Sequence, residues 1–291
     1  KIKSLLDNVS KRKRMSKNAR SAMFSRYSWH KEEEKIINRL NYFGRKNMNM
    51  LKIKKLLKIL LSSTYIKALL RGVAASVEHE NIIKKLGLKF VVDIGANKGQ
   101  FSLILKKLYP NIKIISFEPL EKPAEKYLEI FKNEKNITLH QIAIGQSEEH
   151  MKIYISKKVD SSSMLPISQN QEEIYPGTGL EDTSIVKVDS LDKYLSGEEI
   201  VYPNLIKIDV QGFELKVLKG ASSVISKFQY IYCECSFIEL YEGQALAHEV
   251  IEYLKELEFK LLGIYNVFYD KEGRSIQGDF LFLNKHIENL N

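Results

Sequence analysis

From Leu88 onward, short runs of β-branched and aromatic residues alternate with stretches of helical spacing, and this alternation constrains the fold more than any other feature. KFVVDIG (Lys89 to Gly95), IKIISFE (Ile112 to Glu118), NLIKIDV (Asn204 to Val210) and YIYCECS (Tyr230 to Ser236) read as strands apolar on both faces. Helical spacing over 99–109, 122–132, the ELKVLKGASSVI run and 245–257 separates them, which predicts a βαβ, largely parallel α/β sheet. ITLHQIAIG (Ile137 to Gly145) reads as one further strand. MKIYIS and SIVKVDS bracket a Ser-, Pro- and Gly-rich stretch, Asp160 to Gly179, that reads as a long functional loop, and FKLLGIYN with DFLFLN close the chain as a hairpin. In an open parallel sheet the ligand binds beyond the carboxyl ends of the strands. Three of the strands end there in a carboxylate: Asp93, Glu118 and Asp209. Together they predict a cleft rich in acceptors, suited to hydroxyls and a cationic group.

The first of these turns is DIGANKGQF, in which Gly95 and Gly99 bracket Ala96, Asn97 and Lys98. Glycine at 95 allows a positive φ or a close backbone approach, and Gly99 lets the next helix pack tightly. Glu118 lies 19 residues past Gly99, where an acid can accept both hydroxyls of an adenosine ribose. An NAD(P)-dependent Rossmann oxidoreductase satisfies the same outline. Its pyrophosphate fingerprint, however, needs glycine where Asn97 and Gln100 stand, and Asp93 would face a like charge. S-adenosylmethionine carries a sulfonium, an α-ammonium and a ribose diol but no phosphate, and it fits.

VVDIGANKGQF, the SFEP segment, ALLRGVAASVEHE, QIAIG, VDSLD and LIKIDVQGFELKVLKGA together resemble the FkbM family of S-adenosylmethionine-dependent methyltransferases over residues 64–285. The resemblance implies a Rossmann-like class I fold: a seven-stranded, mostly parallel sheet with helices on both faces, preceded here by a basic helical N-terminal extension. It implies transfer of a methyl group to a hydroxyl of a glycan or other small polyhydroxylated acceptor. Carried over by position, Asp93, Gly95, Ala96, Asn97 and Gly99 hold the methionine part, Glu118 the ribose, and Ala143 passes the adenine. Asp209 stands beside the methyl group and, with Glu214, orients or deprotonates the acceptor hydroxyl. The same two acids could instead hold a divalent cation through oxygen, and a helix cap is the plainer reading of Glu214. Glu234 either faces the same cleft as a third catalytic carboxylate or pairs with Lys207. Asp209 is followed by Val210 and Gln211 rather than an Asn-Pro-Pro-Tyr-like element, which argues against amino methylation.

The net charge of +9 is unevenly placed. Residues 1–60 hold 18 Lys and Arg against four Asp and Glu, and the remainder 27 against 32, so the basic character belongs to the N-terminal segment and nucleic acid is not an expected partner of the folded body. The sequence divides into a loosely helical or poorly ordered extension (1–49), amphipathic helices (50–87) and the S-adenosylmethionine-binding domain (88–291). In MLKIKKLLKILL (50–61), Ile53, Leu56, Leu57 and Leu60 form an apolar stripe opposite Lys54, Lys55 and Lys58. That helix either covers the folded body or makes peripheral contact with an anionic membrane at its inner surface. Leu51 and Ile59 interrupt its polar side and favour the first. A membrane- or nucleic-acid-associated protein on an inactive methyltransferase fold is the corresponding alternative function. Cys233 and Cys235 are too close along one strand to bridge, which suggests a reducing, cytoplasmic setting, and the scattered histidines offer no zinc-ligand spacing.

Overall fold

The computed structural model describes residues 61–287 together with Lys55, Lys58 and Ile59. The chain divides into two units, Lys1–Leu57 and Lys58–Asn291, and all of the first except Lys55 lies outside the described residues, as does the expected 1–49 extension. The second unit holds a seven-stranded sheet in the order β3-β2-β1-β7-β8-β10-β9. Its strands are β1 (Phe90–Ile94), β2 (Lys113–Phe117), β3 (Ile137–His140), β7 (Asn204–Ile208), β8 (Tyr230–Ser236), β9 (Phe259–Tyr269) and β10 (Ser275–Asn284). All neighbours are parallel except β10, which runs antiparallel to both β8 and β9.

β1 and β7 are buried at every residue, as β-branched runs in the middle of a parallel sheet must be. Phe90, Val92, Ile94, Ile206 and Ile208 enter one core with helices α6 (Leu191–Tyr194), α7 (Glu214–Lys219) and α8 (Ala247–Glu256). Val91, Ile114 and Leu205 enter the other with α1 (Ser63–Leu69), α2 (Glu80–Ile83), α3 (Gln100–Leu108) and α4 (Glu121–Phe131). Helices therefore cover both faces. The alternation also places Asp93 and Lys207 on the α3 face, side by side in the register of β1 and β7, with Ser116 on the other side of Asp93.

Three expectations need correction. The run read as one strand over 137–145 is two: it breaks at Gln141 and Ile142, where the Ile142 amide turns back to donate to the His140 carbonyl at 3.0 Å. β3 stays at the edge of the main sheet, whereas β4 (Ala143–Gly145) joins β6 (Leu180–Ser190) and β5 (Glu149–Ser156) in a second, three-stranded sheet. The helical stretch expected over 50–87 is interrupted, since Gly72 adopts φ +83° and, from Ser63 on, only α1 and α2 are helical; Gly87, at φ +63°, follows it. The stretch over 160–179 is a built structure rather than open loop. Ser163 pairs with Tyr154, Ile167 bridges Tyr241, and α5 (Gln169–Ile174) is capped by Ser168. Of the amphipathic stretch at 50–61, Ile59 is buried in the α1 core and Lys58 pairs with Glu80 at 3.5 Å. No helix among the described residues is long and apolar enough to cross a membrane.

Gly220, at the end of α7, locks the two sheets together. A Cβ there would stand 1.8 Å from the Gly145 carbonyl oxygen at the end of β4, while its own φ of −77° suits any residue. Gly220→Ala is therefore a purely steric probe. Urea unfolding should show a loss of about 2–3 kcal/mol, the upper range for overpacking; an unchanged midpoint would mean that α7 and β4 do not meet so closely.

Candidate active site

The turn after β1 is shaped by backbone rather than by side chains. Gly95 has φ +77°, and a Cβ on it would lie 1.8 Å from the Asp209 carbonyl oxygen, so the β1 and β7 turns can touch only through glycine. Asn97 also has a positive φ, +47°, and its Oδ1 caps the Lys98 amide at 2.8 Å. Glu118, at the end of β2, reaches across: Oε2 accepts from the Asn97 amide and Oε1 from the Leu120 amide, both at 2.9 Å. Each oxygen keeps a further lone pair. Burial pushes the Glu118 carboxyl up to about 7, against the opposing pull of those two amides.

The β7 turn carries a polar network. Lys207 Nζ lies 3.2 Å from Asp209 Oδ2 and 3.6 Å from Asp93 Oδ1, and it donates to the Gly95 carbonyl at 3.4 Å. Ser102 of α3 donates to Asp93 Oδ2 at 2.8 Å. Burial alone would raise the Asp209 carboxyl, but Lys207 and the Gln211 amide outweigh it and hold it below the ordinary range. Gln211, at φ +56°, donates from Nε2 to both Asp209 Oδ1 (2.8 Å) and Glu234 Oε2 (2.9 Å), while Gln277 Nε2 donates to Glu234 Oε1 at 2.9 Å. Burial, reinforced by Asp209, Asp279 and Glu214, drives the Glu234 carboxyl well above the usual range. The expected pairing of Glu234 with Lys207 gives way to Lys207 with the two aspartates.

A cavity of about 470 Å³ opens over these strand ends. Gly95, Ala96, Asn97, Glu118, Ala143, Asp209 and Glu234 line it, as the sequence positions suggested. Asp93, Gly99 and Glu214 do not. Asp93 is fully buried on the face covered by α3, so it holds Lys207 and not a ligand. Gly99 is the left-handed cap of α3, pressed against the Phe131 ring. Glu214 is turned under the β7 loop, its Oε1 accepting from the amides of Val210 (3.2 Å) and Gly212 (3.0 Å). A catalytic or cation-binding role for Glu214 is inconsistent with that placement, and no group of three or more potential metal ligands assembles among the described residues. The divalent-cation expectation finds no donor set.

Other lining residues escaped the sequence reading: His79, Asn266, Asp279, Gln171 and Tyr175. Two of these end in buried atoms without partners among the described residues, Gln171 Oε1 and the Tyr175 hydroxyl. One signal was available for Asp279, which alternates into DFLFLN as a lone acid among apolar residues.

Burial pushes Glu214 from 4.5 up to about 7, so the folded state binds more protons than the unfolded chain between those values and loses stability as pH rises through them. Glu214→Gln keeps an acceptor for both amides and removes the charge. Denaturant titrations should find the variant level with the parent near pH 4 and more stable by about 1–3 kcal/mol at pH 8. A gain that is the same at both pH values would contradict the buried charge.

The Methyltransferase FkbM domain family matches residues 93–261, more than half of the chain. Among curated proteins, the chain is 26% identical over 200 residues to 2-O-methyltransferase NoeI of Sinorhizobium fredii, covering 67% of this chain and 79% of that protein. Methyltransferase 1 of Beauveria bassiana is 30% identical and methyltransferase sdnD of Sordaria araneosa 32% identical, each over 45% of this chain and over 57% and 60% of their own lengths. The oxidoreductase alternative falls with these matches. A parallel sheet whose central strands end in Asp209 and Glu118 around one cavity, together with this match, shows that the chain belongs to the FkbM family of S-adenosylmethionine-dependent methyltransferases.

Proposed function

We propose that the protein transfers a methyl group from S-adenosylmethionine to a hydroxyl oxygen of a glycan or other small polyhydroxylated acceptor. The observation that carries this reading is the two-sided cavity. One side offers Glu118 lone pairs, the Gly95–Asn97 turn and the small Ala143; the other is lined by Gln171, Tyr175, Glu234, Asn266 and Asp279. The printed name of the Sinorhizobium fredii relative, a 2-O-methyltransferase, supports oxygen as the accepting atom.

S-adenosylmethionine would supply the methyl group on a sulfonium, a donor that brings its own leaving group. The residues fit it. Glu118 can accept from a ribose diol through the lone pairs its amide bonds leave free, and Asp209, kept ionised by Lys207, provides negative charge for a cationic ligand. The opposite wall carries amide, carboxyl and phenol side chains, Gln171, Glu234, Asp279 and Tyr175, a polar lining suited to a polyhydroxylated acceptor. Tyr175 packs on Phe268, with ring centroids 4.8 Å apart and planes tilted by 40°, which stiffens that wall. An acceptor positioned by several such bonds is held for in-line attack, the main task left to a protein whose donor is already activated.

Two measurements test this function. Calorimetric titration with S-adenosylhomocysteine should give saturable binding that weakens as pH is lowered from 8 to 6, because the ribose diol binds the ionised form of a carboxyl standing near 7. Glu118→Gln should bind about tenfold more weakly and lose that pH dependence; absence of binding by the folded parent would sink the donor assignment. With labelled S-adenosylmethionine and a panel of methyl glycosides, Gln171→Leu and Tyr175→Phe should each raise KM about 5–50-fold with S-adenosylhomocysteine affinity unchanged. Transfer to amines but to no hydroxyl compound would overturn the acceptor reading.

A further inference from the structure

His79 enters the cavity from the segment that precedes β1, just ahead of α2, and Asp279 enters from β10, some 200 residues away along the chain. Their side chains are 16% and 13% exposed, and His79 Nδ1 lies 3.3 Å from Asp279 Oδ2. Asp279 also accepts from Asn266 Nδ2 at 2.7 Å. Nδ1 stands 3.0 Å from the Tyr232 oxygen and 3.2 Å from Asn266 Nδ2. The Asp279 carboxylate, already accepting from Asn266, faces Nδ1 at 3.3 Å as an acceptor, and this contact places the hydrogen on Nδ1. Nε2 then holds the lone pair. It has no hydrogen-bond partner among the described residues, and the ring lines the cavity, wedged edge-on between Phe101 of α3 and Tyr232 of β8. A carboxylate fixing the far nitrogen of an imidazole is the arrangement that presents the near nitrogen as a base.

We propose, building on the function above, that His79 is the general base of the reaction and that Asp279 orients it. The other groups at the site are already engaged. Asp209 is ion-paired with Lys207, Glu234 is bonded at both oxygens, and Glu214 is sealed beneath the β7 turn. In the transfer step the acceptor oxygen bonds to the methyl carbon as the carbon–sulfur bond breaks. The sulfur keeps that electron pair and leaves as the neutral thioether of S-adenosylhomocysteine. The hydroxyl proton passes to Nε2, and the imidazolium formed is met by the Asp279 carboxylate. The charged groups facing the ring are Asp279 from β10 and, more distantly, Asp209 past β7; the polar neutral ones are Tyr232 from β8 and Asn266 from β9.

The full chain, saturated with S-adenosylhomocysteine and labelled with ¹⁵N at histidine, provides a test that needs no acceptor. The resonances that vanish in His79→Gln identify the ring. Neutral His79 should show a protonated Nδ1 and a pyridine-type Nε2, and Asp279→Asn should mix the two tautomers; a protonated Nε2 in the parent would overturn the proposal. In transfer from S-adenosylmethionine to methyl glycosides, His79→Gln should lower kcat about 10²–10⁴-fold with S-adenosylhomocysteine affinity within about threefold of the parent. Added imidazole should restore part of the rate to His79→Gly. Parent-like turnover by His79→Gln refutes the base, whereas failure of the parent to bind S-adenosylhomocysteine refutes the donor reading instead. Absence of transfer to any glycoside refutes the acceptor reading and leaves the tautomer to decide the base.

Discussion

The Lys207 ammonium, caught between Asp93 and Asp209 at the ends of the two central strands, is the interaction on which the site depends. Removing one partner from a buried charge cluster leaves an uncompensated ion in a low-dielectric interior, commonly a loss of about 3–5 kcal/mol. The cluster arises directly from strand register. Asp93 and Lys207 are partners across β1 and β7, and Asp209 is two residues on, past the strand end, where its carboxylate can turn back to the same ammonium. The two turns are thereby drawn so close that Gly95 has no room for a side chain.

From that cluster the polarity spreads in both directions. On one side Asp93 accepts from Ser102, Ser102 from Tyr127, and Tyr127 shares a hydrogen with Ser116, so α3 and α4 are tied to β1 and β2 through buried hydroxyls. On the other side Gln211 passes the network to Glu234, and Tyr241 and Gln277 hold the amide and the carboxyl in place. The same surroundings push neighbouring carboxyls apart: the lysine holds Asp209 below the ordinary range, and burial drives Glu234 well above it.

Much of this was legible in the sequence because it is local. Strands apolar on both faces, a glycine turn after β1, and acids at three strand ends follow from residues close together in the chain. Legibility failed where the answer depended on which way a side chain faces. Asp93 and Glu118 both sit at a strand end, yet Asp93 is the last-but-one residue of β1 and points under α3, while Glu118 lies one residue past β2 and is free to turn toward the cavity. Glu214 illustrates the same ambiguity: the helix-start position suggested either a cap or a catalytic acid, and its two backbone hydrogen bonds answer for the turn. The break within 137–145 was hidden because both halves are apolar, and only pairing with β6 takes the second half out of the main sheet.

The two walls of the cavity are built by different means, and this explains the contrast between a readable donor and an unreadable acceptor. The donor wall comes from turns that β1, β2 and β4 place next to one another whatever the rest of the chain does. The opposite wall gathers His79 from before the sheet, Gln171 and Tyr175 from the second sheet's connection, and Asn266 and Asp279 from a hairpin whose outer strand departs from even register. His79 stands in the ALLRGVAASVEHE stretch, but nothing in that local sequence tells that the fold carries it to Asp279, 200 residues further on, so this wall becomes legible only once the chain is folded.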